Sequence, residues 1–170
     1  MMQEKVQEAI NKQVNAEIYS AYLYLSMNAY FQSLGLKGFA NWMHVQSQEE
    51  LIHAMRFYDY VNERSGRIRV LPIEGPPVEW KSPLDAFEAA YKHEQLVTSL
   101  INDLVNLATK EKDHATVAML QWFVTEQVEE EANTSDVAGK LKLIGKDGAG
   151  LFMIDRELAT RVFVPPPPAA

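Results

Sequence analysis

Within the stretch VQSQEELIHAM, Val45 to Met55, a helical pattern carries Glu49, Glu50 and His53. Glu50 and His53 share one helix face, about 4.5 Å apart along the axis, so a carboxylate and an imidazole can act on one centre. Counting by three and four along the other apolar stripes finds more such groups. Glu17 stands between Val14 and Ala21, and Glu94 between Ala90 and Val97. Gln127 and Glu130 interrupt the run of Leu120, Phe123, Val137 and Leu141, and Gln46 shares the stripe of Glu50 with Met43 and Phe57. An isolated buried ion costs several kcal/mol, and like charges close together add repulsion. No Lys or Arg lies in these stripes, so the neutraliser must be protons or metal ions. Carboxylates with one imidazole and no thiolate suit iron or manganese, with zinc as an inadvertent occupant.

Long helices are needed to bring these groups together. Apolar residues recur every 3.6 positions from Gln3 to about Leu34, without Pro or Gly, which predicts a first helix. A second runs from about Gly38 to Arg64. RSGRIRVLPIEGPPVEWKSP then breaks all periodicity and closes on Ser82, Pro83 and Asp85, an N-cap, a first-turn proline and an acidic third position. The third helix so opened extends to about Lys110. The fourth follows Asp113 and stops at Gly145, and a shorter fifth spans about Asp147 to Val164. Helices of about 27 residues are about 40 Å long, the size of bundle helices. Short turns make the first and last long pairs antiparallel. About 18 extended residues between the second and third helices can span the bundle, which makes those two parallel. The fifth helix has an apolar stripe that must bury against other subunits or against the end of its own bundle.

Composition limits the partners. At 170 residues and 47% hydrophobic, the chain suits one domain, expected over 1–164, with PPPPAA at 165–170 as an extended tail. With 16 Lys plus Arg against 23 Asp plus Glu, the net charge is -7, which argues against nucleic acid or an anionic membrane and favours cations. The absence of cysteine excludes disulfides, thiolate metal sites and a cysteine nucleophile. The opening MMQEKVQEAI has neither a basic leader nor an apolar core, and no run approaches a membrane span, so a soluble cytoplasmic protein is expected.

NAEIYSAYLYLSM around Glu17, QEELIHAM, YKHEQ around Glu94, and EQVEEE together resemble the non-haem ferritins of bacteria and archaea, and the likeness extends from Val6 to Phe163. It implies an all-α, ferritin-like four-helix bundle with a long crossover and a short fifth C-terminal helix. Symmetric di-iron bundles take one Glu from each of two helices and a Glu-x-x-His from each of the other two. Here the fourth helix offers Gln127-x-x-Glu130 instead, as ferritins do. The resemblance implies that Glu17, Glu50 and His53 hold a first iron, with Glu50 bridging, that Glu94 and Glu130 hold a second, and that Gln127 lines the site. A second iron without an imidazole is expected to be held more loosely, so that oxidised iron moves on. The resemblance further implies a third iron site at Glu49, Glu126 and Glu129, and an electron supplied by Tyr24. Ile52 occupies the position where haem-binding relatives carry methionine, so no haem is expected. The implied function is iron storage with ferroxidase activity: Fe(II) is oxidised by O2 or H2O2 and stored as ferric oxyhydroxide in a homo-oligomeric shell of 24 subunits.

Two other classes make different demands. A di-iron oxygenase acting on an organic substrate calls for a second Glu-x-x-His, which is absent here. A purely structural bundle with an unoccupied polar core predicts that losing Glu17 and Glu50 leaves stability unchanged or improved.

Overall fold

A computed structural model describes residues 2–165, and within them the chain forms five helices and no strand. They are α1 (Glu4–Ser33), α2 (Lys37–Glu63), α3 (Pro83–Lys110), α4 (His114–Ile144) and α5 (Gly148–Leu158). Apart from Pro165, the tail expected at 165–170 lies outside the described residues.

Hydrogen bonds between helices establish their directions. Asn28 of α1 donates to the Ala40 carbonyl of α2, and Ser47 of α2 donates to the Ala21 carbonyl of α1, so α1 and α2 are antiparallel. Gln46 and Tyr60 of α2 meet Glu130 and Thr116 of α4, again in reverse order. Lys142 and Gln127 of α4 meet Glu88 and Glu94 of α3 in the same reversed sense. Helix α3 therefore runs parallel to α2, as the long crossover requires. The crossover, which has no periodicity of its own, is held by α1 side chains. Asn11 donates to the Arg67 carbonyl and accepts from the Arg69 amide, and Ser26 donates to the Pro77 carbonyl.

Local chemistry accounts for the helix starts. Ser82 Oγ accepts from the Asp85 amide at 3.1 Å while the Asp85 carboxylate accepts from the Lys81 amide at 2.9 Å, and Pro83 occupies the first turn. Asp113 caps α4 through the Thr116 amide, and Asp147 caps α5 through the Ala149 and Gly150 amides.

The apolar interior falls into two clusters. One gathers Tyr24, Met27, Phe31, Phe39, Met43 and Phe87 toward the α1–α2 turn, and the other Ile10, Val14, Phe57, Ile101, Leu120 and Phe123 toward the opposite end. The polar residues of the four stripes lie between them.

Helix α5 docks on its own bundle. Ile154 and Leu158 are buried against the first cluster, and Asp155 Oδ1 accepts from the Gly38 and Phe39 amides at the start of α2. Its other face leaves Phe152 and Met153 exposed. The helix ends at Leu158, earlier than the Val164 expected from its stripe. The Asn41 side chain donates to the carbonyls of Leu158 and Arg161 at 3.2 and 2.9 Å, and Thr160 Oγ1 donates to the Glu157 carbonyl. Side-chain donors thus satisfy the carbonyls that a longer helix would pair internally.

Candidate metal centre

Each long helix delivers polar groups to one level of the bundle. Helix α1 supplies Glu17 and Tyr24, α2 supplies Glu50 and His53, α3 supplies Glu94, and α4 supplies Gln127 and Glu130. All seven residues are at most 3% exposed. The ligand atoms of Glu17, Glu50 and His53 lie within 4.8 Å of one another, and so do those of Glu50, Glu94 and Glu130. Glu50 belongs to both triads. A third group, His53, Glu126 and Glu130, meets the same distance, with Glu126 half-buried.

Neighbouring amides and a hydroxyl aim the carboxylates. Gln46 Nε2 donates to Glu50 Oε1 at 3.0 Å and to Glu130 Oε2 at 2.6 Å, joining α2 to α4. Tyr24 Oη donates to one oxygen of Glu94, and Gln127 Nε2 donates to the other at 3.2 Å. Gln13 Nε2 donates to Glu17 Oε1 at 2.7 Å, while the buried Glu17 Oε2 has no hydrogen-bond partner. His53 Nδ1 lies 3.3 Å from Glu50, and its Nε2 lies 3.8 Å from Glu126.

The electrostatics follow from crowding acids in a dry interior. Burial, and then the charge of Glu50, raise Glu17 and Glu94 to about 8. Burial and then Glu94 raise Glu130 to about 8, and burial and Glu130 push Glu50 well up. Without a cation the group holds protons. An orphaned carboxylate oxygen and an oxygen-rich donor set with one imidazole fit a hard metal ion that displaces those protons.

This arrangement matches known proteins along most of the chain. The family model "Ferritin-like domain" matches residues 7–144. A bacterial non-heme ferritin of Bacteroides fragilis (strain 638R) is 47% identical over 161 residues, 95% of this chain and 100% of that protein. The chain belongs to the ferritin family. A bacterial non-heme ferritin of Escherichia coli O157:H7 is 39% identical over 94% of this ferritin and 97% of its relative. A crystal structure described as a novel open pore ferritin from the hyperthermophilic archaeon Archaeoglobus fulgidus has 57% identity and a TM-score of 0.95, covering 95% of this ferritin and all of that chain. A form of that protein engineered as closed has 58% identity, the same TM-score and coverage of 96% and 100%.

Not every candidate residue of this ferritin joins the central group. Glu129 is exposed on α4. Glu49 forms an ion pair with Arg161, a residue beyond α5, at 2.5 Å. Burial raises Glu49 and Glu126, and Arg161 is the largest influence opposing this at Glu49. The two glutamines that orient carboxylates, Gln13 and Gln46, carried a usable signal. Gln13 is one turn before Glu17, and Gln46 stands in the stripe of Glu50. Arg161 had none.

Among the remaining histidines, His93 lies half-buried beside the Tyr24 ring and shares a hydrogen bond with Ser20, and loss of solvent lowers its imidazole to about 4. Trp42 packs edge-on against Tyr24 and Phe87, and Trp122 against His53. No described helix is long and apolar enough to cross a membrane.

Proposed function

We propose that this ferritin stores iron, oxidising Fe(II) to Fe(III) with O2 or H2O2 at an intrasubunit di-iron centre and retaining it as ferric oxyhydroxide within a hollow shell of 24 subunits. The observation that carries this reading is Glu50, a buried carboxylate common to two triads on four helices. One carboxylate shared by two clusters of hard ligands suits two cations side by side, and such a pair relieves the repulsion that otherwise forces protonation.

In this reading Glu17, Glu50 and His53 bind the first iron, Glu50 bridges, and Glu94 and Glu130 bind the second. Gln127 lines the site and orients Glu94. Carboxylate oxygens favour Fe(III) over Fe(II), which promotes loss of an electron from each iron to the oxidant. In the same reading Tyr24, hydrogen-bonded to Glu94, gives a further electron to the O2 or H2O2 being reduced, its phenolic proton passing to that carboxylate. Glu49, Glu126 and Glu129 form an outer site through which oxidised iron leaves. The absence of an imidazole from the Glu94 and Glu130 side favours that departure. A single ferritin-like domain over 1–164 and a cytoplasmic location belong to the same proposal.

Aerobic addition of Fe(II) at rising iron per subunit tests it, followed by ferric absorbance and particle size. The expected result is rapid oxidation of about two irons per subunit, then continued soluble uptake in a large particle. Oxidation that stops at two contradicts storage, and oxidation no faster than in buffer contradicts the centre itself.

A further inference from the structure

Arg161 is the cation that the helical stripes do not contain. It lies beyond the end of α5, yet its guanidinium reaches α2 and makes three kinds of contact there. Nη2 pairs with Glu49 Oε2 at 2.5 Å, Nη1 donates to Gln46 Oε1 at 2.8 Å, and the guanidinium lies 4.4 Å from the centre of the Trp42 ring. The contact with Gln46 determines how that amide faces. Its oxygen turns to Arg161, so its nitrogen turns to Glu50 and Glu130. Asn41 Nδ2 holds the backbone leading to Arg161, donating to the carbonyls of Leu158 and of Arg161 itself.

We propose that Arg161 is a tethered counter-ion that competes with an incoming metal cation for Glu49, so that filling the outer site releases the segment after α5 from α2. The inference rests on the reading of Glu49, Glu126 and Glu129 as that outer site. A guanidinium cannot surrender its charge by losing a proton, so a metal cation approaching Glu49 meets a fixed positive charge, and Glu49 Oε2 is freed for it only when Arg161 moves away. Arg161 and Glu49 retain side-chain exposures of 20% and 22%, so water can replace their contact when they separate. The exchange is one cation for another on the same carboxylate. Its consequences are a third cation bound more weakly than the first two and a C-terminal segment that reports on occupancy.

Calorimetric titration of the metal-free assembled protein with Zn2+, which undergoes no redox chemistry, separates the binding steps. Hydrogen exchange of residues 158–165, followed by mass spectrometry at each equivalent, reports release. In the wild type, a tight first step, a looser second and a still weaker third are expected, with exchange rising only at the third. Arg161→Gln should tighten the third step roughly tenfold, the scale of one charge-assisted hydrogen bond. Arg161→Lys keeps the charge and should keep the third step weak. Glu49→Gln should abolish the third step and give rapid exchange without Zn2+, which preserves the test if the arginine variants assemble poorly. An unchanged third step in Arg161→Gln, equal tightening in Arg161→Lys, or exchange that ignores saturating Zn2+ would overturn the inference while the first two wild-type steps uphold the centre. Absence of those two steps would remove the centre, and with it the outer-site competition.

Discussion

Gln46 on α2 donates its amide proton to Glu130 on α4 across 2.6 Å of buried interior, and to Glu50 on its own helix at 3.0 Å. One neutral side chain therefore spans two carboxylates that repel one another. Replacing it with leucine of similar bulk leaves both oxygens without that donor. Gln46→Leu should destabilise the cation-free protein by about 1–3 kcal/mol, the usual cost of orphaned buried polar groups. It should also weaken the two central cation sites about 10–100-fold, as loss of a supporting hydrogen bond does. Denaturant unfolding and Zn2+ calorimetry measure the two effects, and unchanged affinity would mean that Gln46 only fills space.

The pH dependence has a definite sign. Burial and mutual repulsion raise Glu17, Glu94 and Glu130 from 4.5 to about 8 in the folded protein. Between those values the folded, cation-free protein keeps protons that the unfolded chain has released. Stability is therefore greatest below the unfolded value and falls as pH rises through the folded one. The midpoint of thermal unfolding without metal should decline from about pH 5 to about pH 8, and Zn2+ should abolish the decline because it replaces the protons. A cation-free profile that rises over this window would contradict the protonated core.

Glu50 should trade stability for binding. Its carboxyl is pushed far up by burial and by Glu130, so Glu50→Gln substitutes a neutral group of the same shape. The cation-free protein at about pH 8 should become more stable, while affinity for the paired cations falls by at least about 100-fold. Thermal unfolding with and without Zn2+ reads both, since the stabilisation by metal seen in the wild type should vanish. Retention of that stabilisation would show that Glu50 is not shared between cations.

Gly38 controls the docking of α5. A Cβ built there would lie 1.6 Å from the Asp155 carbonyl oxygen, an overlap with backbone that no rotamer change relieves. Gly38→Ala should therefore push α5 away from α2 at a cost of at least about 1–3 kcal/mol. Faster exchange at the amides of Gly38 and Phe39, which Asp155 now accepts from, would accompany it. Wild-type stability in this variant would mean that α5 is held chiefly by other contacts.

The lengths of the four long helices, the caps Ser82 and Asp113, and the six inward groups Glu17, Glu50, His53, Glu94, Gln127 and Glu130 could be read from the chain alone. A helix repeats every 3.6 residues, so a polar residue in step with an apolar stripe must face the interior whatever the neighbouring helix is. The parallel run of α2 and α3 was equally legible, because chain length limits what a crossover can span. Periodicity within one helix says nothing about the stagger between two, however. Tertiary packing decided that Gln46 meets Glu130, that Tyr24 meets Glu94, and that Glu50 falls between two triads. It also ended α5 at Leu158, because Asn41, 117 positions earlier, donates to that residue's carbonyl. Arg161 reaches Glu49 across 112 positions for the same reason. Side chains on separate elements become neighbours only after both elements have docked, and no local pattern in the chain records that distance.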